Sequence, residues 1–113
     1  CALPIFFADK LGHSFATELA AQKTSYGLMQ IMGGLARSDL GYTDNLNKLF
    51  DPKINITLGV KYLAKLKQKY HEETDIISAY NQGTPRKLSN GLYTNQDYVN
   101  KVLKLKDELD IWF

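Results

Sequence analysis

Downstream of Asp51-Pro52, apolar residues recur at helical spacing, at Ile56, Val60, Leu63, Leu66 and Tyr70, while Lys61, Lys65, Lys67 and Lys69 fall mostly off that stripe. An acidic cap followed by Pro, whose φ is preset for a first turn, predicts a long helix opening at residue 52. No comparable period-2 alternation occurs anywhere, and the sequence has no internal repeat. A chain of 113 residues must then bury its apolar surface by packing helix on helix in one domain, and the reading is all-α.

Other segments fit that reading. Leu11, Phe15 and Leu19, with Ala8 and Ala16 near the same face, suggest a first helical region that Gly12-His13-Ser14 interrupts and restarts. Cys1 to Phe7 is apolar but short and reads as a segment packed on the core, not as a signal peptide. Tyr26 to Met32 is apolar except for Gly27 and Gln30, and Gly33-Gly34 should stop or bend whatever that segment forms. Short turns and a partial helix are expected between Arg37 and Lys48. Thr74-Asp75 can cap a short helix through Asn81, and Thr94 with Asp97 forms a capping-box-like pair before a last helix.

Charge and composition remove several function classes. Fourteen Lys and Arg stand against 12 Asp and Glu, a net charge of +2, which is too weak a field for a dedicated nucleic-acid binder. No apolar run approaches the ~20 residues of a membrane span. Cys1 is the only cysteine, so an intrachain disulfide is impossible and a Cys-based zinc site is not expected. His13 and His71 stand apart and read as surface residues, not metal ligands; no metal is expected. The basic face around Lys61, Lys65 and Lys69 suits an anionic polymer or a solvated helix surface equally well.

Polar residues inside apolar, helix-forming sequence carry more information. Gln30 sits between Met29 and Ile31, and Asn81 follows Ala79-Tyr80. A buried amide or phenol must find partners, so each is either structural or faces a ligand. Singly, helix capping for Asn81 and a core position for Tyr80 are the ordinary readings.

Together these residues resemble a known family. Tyr26-Gly27-Leu28-Met29-Gln30-Ile31-Met32 is similar to the Gly-Leu-Met-Gln segment of the soluble-lytic-transglycosylase (SLT), or goose-type-lysozyme-like, domain. Asn55-Ile56-Thr57-Leu58-Gly59-Val60-Lys61-Tyr62-Leu63 resembles its Asn-Ile-x-x-Gly-x-x-Tyr-Leu helix. Ala79-Tyr80-Asn81-Gln82-Gly83 resembles its Ala-Tyr-Asn-Ala-Gly block, with Gln82 in place of Ala, and Tyr98-Val99 its closing Tyr-Val helix. The likeness runs in order from about Ser25 to Val102.

The resemblance implies a compact lysozyme-like helical domain over residues 1–113 that cleaves the β-1,4 bond between N-acetylmuramic acid and N-acetylglucosamine in peptidoglycan. In such chemistry one Glu acts as acid and then as base, the substrate's acetamido group assists, and a 1,6-anhydro product forms without water. It further implies that Tyr80 tunes that Glu, that Gln30 and Asn81 bind the sugar, that Met29 forms an apolar wall and that Tyr98 lies at the groove. No cofactor is implied. The partner would be glycan strands, met in the periplasm or outside the cell, in wall turnover or in service of a phage, conjugation or secretion apparatus.

The acid is the open position. The family's Glu-Ser pair does not occur in this sequence, and of the two acids before Gly27, Asp9 and Glu18, only Glu18 is of the right type. Either Glu18 is a displaced catalyst, or the catalytic Glu is replaced, or a stretch is absent between Gln22 and Ser25. Loss of catalysis would make the chain a glycan-binding or assembly module, and a hydrolytic muramidase is possible on the same fold.

Overall fold

The computed structural model describes residues 2–112; Cys1, expected to pack on the core, lies outside the described residues. The protein is mostly helical, as expected from its periodicity. The chain divides into two compact units, Cys1–Tyr62 and Leu63–Phe113, and the boundary falls inside one long helix.

The first unit opens with helices α1 (Ala2–Leu11) and α2 (Phe15–Gln22). Gly12, at φ +71°, ends the first, and the Ser14 side chain caps the second by accepting from the Thr17 N–H at 3.1 Å. The predicted interruption is therefore real, and the predicted stripe holds in part: Ala8 is buried and Leu11 and Leu19 are half-buried, but Ala16 is exposed. Phe15 is exposed, and the fully buried residue of α2 is Glu18. In α1, Phe7 and Ala8 are buried whereas Ile5 and Phe6 face outward.

The apolar segment after α2 forms a minimal antiparallel hairpin, β1 (Ser25–Tyr26) with β2 (Ile31–Met32), in which Tyr26 pairs with Ile31. Gly33-Gly34 ends the second strand at Met32, as expected, and the same pair opens a helix, α3 (Gly33–Ser38). Close packing explains why glycine is needed. A Cβ on Gly33 would stand 2.3 Å from the Ala21 carbonyl oxygen and 3.0 Å from the Gln22 Cα, both backbone atoms that cannot rotate away. Gly33→Ala should therefore lower stability by about 1–3 kcal/mol, read as a shifted denaturant midpoint at unchanged m-value.

A short 3-10 turn (Leu46–Phe50) leads into α4 (Pro52–Lys69). Asp51 starts α4 as its sequence suggests, accepting from the N–H groups of Lys53 at 2.8 Å and Ile54 at 3.3 Å. The buried face is shifted by one residue from the predicted stripe over the first part of the helix and meets it again at Leu66. Asn55, Gly59, Tyr62 and Leu66 are buried, whereas Ile56 and Val60 are 44% and 57% exposed. The core of this unit gathers Tyr26, Ile31, Ala36, Leu40, Leu46 and Leu49.

In the second unit, α5 (Glu73–Gln82) and α6 (Gln96–Trp112) pack on each other around Ala79 and Val99. Gly83, at φ +89°, closes α5. The predicted capping box at Thr94 is not formed. The Thr94 hydroxyl donates to Gln82 Oε1 at 2.7 Å, and the Gln96 side chain instead accepts from the Tyr93 N–H at 3.0 Å. Thr74 does not cap α5 either: its hydroxyl donates to the buried Tyr93 phenol oxygen at 2.8 Å, while the single Tyr93 proton goes to the Asp75 carboxylate.

Candidate functional site

Glu18 has none of the surroundings of a proton donor. Its carboxylate is fully buried and both oxygens are occupied. Oε1 accepts from Arg37 Nε and from Gln22 Nε2, each at 2.8 Å. Oε2 faces His13 Nε2 at 2.8 Å and Arg37 Nη2 at 3.3 Å. Burial pushes the carboxyl pKa up, but the hydrogen bonds from Arg37, Gln22 and His13, with the Arg37 charge, outweigh it and hold the pKa below the ordinary Glu value.

The guanidinium is equally committed. Arg37 is buried, donates through Nη1 to the carbonyls of Tyr42 at 3.0 Å and Asp44 at 2.6 Å, and lies 4.1 Å from the Phe7 ring centroid. Three elements and a loop thus meet on one ion pair. A general acid has to be protonated and within reach of a glycosidic oxygen. Glu18 is enclosed and its pKa lowered, and in this structure it stands as the counter-ion of the buried Arg37. His13, read from sequence as a lone surface residue, is part of this cluster.

The turn that carries Met29 and Gln30 is built from the opposite side. Residues 27–30 join β1 to β2, and the Gln30 N–H donates to the Gly27 carbonyl at 3.1 Å. Gln30 has φ +51°, alone among the described non-glycine residues in this region of backbone space, an arrangement that surrounding structure must impose. Two residues of α4 impose it. Asn55, fully buried, accepts from the Met29 N–H at 2.8 Å and donates to the carbonyls of Tyr26 at 2.7 Å and Leu49 at 2.9 Å.

One turn further along α4, Gly59 lies under the Met29 side chain, where a Cβ would come within 2.7 Å of its Cγ and Cε. Asn and Gly four residues apart share a helix face, which is why this pair can seat the turn. Gln30 is exposed; its Nε2 donates to the Gly27 carbonyl at 2.8 Å, so the amide is held in a fixed orientation at the surface.

In the second unit, Tyr80 and Asn81 sit on the last turn of α5. Tyr80 is half-buried, and Asn81 is exposed. Asn81 Oδ1 accepts from Asn95 Nδ2 at 2.9 Å, and Asn95 is itself tied to Ser78. Tyr98, half-buried on α6, has its hydroxyl pKa raised by burial and stays a neutral donor at neutral pH. No group of three or more His, Cys, Asp or Glu that could hold a metal ion occurs among the described residues.

These positions carry a family signature. The family model described as the transglycosylase SLT domain matches residues 12–102. The chain belongs to the transglycosylase SLT domain family. Comparison with curated proteins and with solved structures gave no match. The SLT match spans residues of both compact units and takes in all four sequence blocks, from the Met29–Gln30 turn to Tyr98-Val99.

Within this SLT domain, Met29 and Gln30 share one turn, while Tyr80 and Asn81 share one helix end; the hydrogen bonds of Glu18 go to neither pair. Asn55, Gly59, Arg37 and Asn95 were not singled out as site residues from sequence. Asn55 and Gly59 had a readable signal, since both stand in the Asn-Ile-x-x-Gly helix block. Arg37 and Asn95 had none, because their partners lie 19 and 17 residues away along the chain.

Proposed function

We propose that this SLT domain acts on peptidoglycan glycan strands as a lytic transglycosylase. The observation that carries the reading is the family match over residues 12–102. It is supported by a surface amide at Gln30 held in a backbone conformation that a side chain rarely adopts. Gln30 and Asn81 are proposed to hydrogen-bond the sugars, Met29 to supply apolar wall, and Tyr80 and Tyr98 to line the groove.

In this chemistry an acid protonates the leaving glycosidic oxygen as the bond to C1 breaks, and the acetamido carbonyl oxygen supports the cationic centre. The C6 hydroxyl then closes on C1, giving up its proton to the same carboxylate and forming the 1,6-anhydro ring. Glu18 is not proposed for that step, because protonating it would break its pairing with the buried Arg37. No described helix is long and apolar enough to cross a membrane, and a murein substrate places the work in the periplasm or outside the cell.

A second reading, glycan binding without cleavage, is favoured by the same buried ion pair, which engages the carboxylate of Glu18. Incubation with purified sacculi separates the two. Soluble anhydro-muropeptides, identified by mass, are the expected result. Reducing-end products would mean a hydrolytic muramidase, and co-sedimentation with undigested sacculi would mean a binding module.

A further inference from the structure

Beside Asn81, a run of five polar side chains is polarised from one end to the other. Its origin is the Ser78 main-chain carbonyl, which can only accept. Asn95 Nδ2 donates to that carbonyl at 3.1 Å, and this fixes which way the Asn95 amide points. The Asn95 Oδ1 therefore meets the Ser78 hydroxyl, which donates to it at 2.7 Å. The second Nδ2 hydrogen of Asn95 goes to Asn81 at 2.9 Å, and Asn81 has to receive it with Oδ1. Gln82 Nε2 donates to the Ser78 oxygen at 3.1 Å, and Gln82 Oε1 accepts from Thr94 at 2.7 Å, which braces the other flank.

Ser78 is fully buried, Asn95 is half-buried and Asn81 is exposed, so the run leads from the core to the surface. Its terminus is the Asn81 amide, with its oxygen turned inward and neither Nδ2 hydrogen used inside the network. We propose that Asn95 is a positioning residue for glycan binding: anchored on Ser78, it locks the Asn81 amide with its N–H donors outward, so that Asn81 selects a carbonyl acceptor such as a sugar acetamido oxygen. This rests on the proposed action on glycan strands and adds to it the residue that sets the polarity of one contact. A free amide would present oxygen or nitrogen with similar ease, and a ligand carbonyl would then meet the wrong end in part of the molecules. Fixing the amide beforehand removes that reorganisation from binding.

The test is a double-mutant cycle with a soluble, fully N-acetylated N-acetylglucosamine oligosaccharide, titrated into wild-type protein and into Asn81→Ala, Asn95→Ala and the double variant, with Tm measured for each. Asn95→Ala is expected to weaken binding about fivefold in the wild-type background, the effect of one net hydrogen bond. In the Asn81→Ala background the same change should have less than a twofold effect. A merely structural Asn95 would instead weaken binding equally in both backgrounds, which would overturn the proposal.

Asn95→Asp provides a second variant. Aspartate only accepts, so Asn81 must turn its Nδ2 inward, and binding should fall at least as far as in Asn95→Ala. Unchanged binding by a folded Asn95→Asp would also overturn the proposal. If wild-type protein does not bind the oligosaccharide or sacculi, the glycan-directed function fails and this inference with it. If wild-type protein binds and Asn81→Ala binds equally well, only the role of Asn95 and Asn81 is lost.

Discussion

Glu18→Gln is expected to lower the stability of the fold by about 3–5 kcal/mol, because it leaves the buried Arg37 guanidinium without its counter-charge. Both partners of this pair have fully buried side chains, so water cannot take over the role of the lost carboxylate. Gln can keep hydrogen bonds of similar shape, but its Nε2 would face donors of Arg37, Gln22 or His13 with another donor. Chemical denaturation with circular dichroism would measure the loss. Variant that stays folded at low temperature should still bind sacculi as wild type does. Were Glu18 the proton donor, the opposite pair of results would appear: lysis abolished at nearly unchanged stability.

Arg37→Met combined with Glu18→Gln should be less harmful than the two single changes added together, since it removes the orphaned charge as well. The same ion pair sets a pH dependence. Glu18 has its pKa lowered in the folded state, so its stabilising contribution is fully present above the ordinary Glu value of 4.5 and is lost as pH falls through the lowered folded value. Wild-type stability should therefore decline on acidification below about 4.5, and the Glu18→Gln variant should show a shallower decline over that window.

Asn55→Leu is the second large effect. Asn55 is buried and satisfies the carbonyls of Tyr26 and Leu49 and the N–H of Met29. Leucine nearly matches its shape but pairs with none of them, and each orphaned backbone group costs about 1–3 kcal/mol. A total loss of roughly 3 kcal/mol or more is expected on that scale. Asn55→Asp should fare no better, because it would set a carboxylate oxygen against two carbonyl oxygens. In both variants the turn at residues 27–30 loses its anchor, so the Met29 amide should exchange with solvent faster than in wild type. Glycan affinity should fall too, since the orientation of Gln30 depends on that turn.

Comparison of these residues with the sequence shows where local pattern is sufficient. Asp51-Pro52 opens α4 as read, because both of its signals, a side-chain acceptor and a fixed φ, act within three residues. The break at Gly12–Ser14 is equally local. The choice of buried face is not. Ile56 and Val60 are the more apolar residues, yet Asn55 and Gly59 are buried in their place, because a tight turn has to be hydrogen-bonded from below and approached closely. Phe15 and Glu18 show the same inversion on α2: the phenyl ring is outside and the carboxylate inside, since Arg37 needs a counter-charge in the core.

The predicted Thr94 cap fails for a related reason. Its hydroxyl is held by donating to Gln82, on a different helix, and does not accept from an N–H of the turn that follows it. Side-chain hydrogen bonds go to whatever partner packing brings near, and packing is not written in a window of four residues.

The sequence by itself determined that the chain is helical, where α4 begins, and which ordered blocks mark the SLT family, since propensity, capping and motif order are properties of short segments. Only the tertiary structure decided that Glu18 is a buried counter-ion, that Asn55 holds the Gln30 turn, and that Asn95 sets the direction of Asn81. Each of those roles is a pairing across 14 or more residues, and electrostatics and hydrogen bonding act on distance in space, not along the chain.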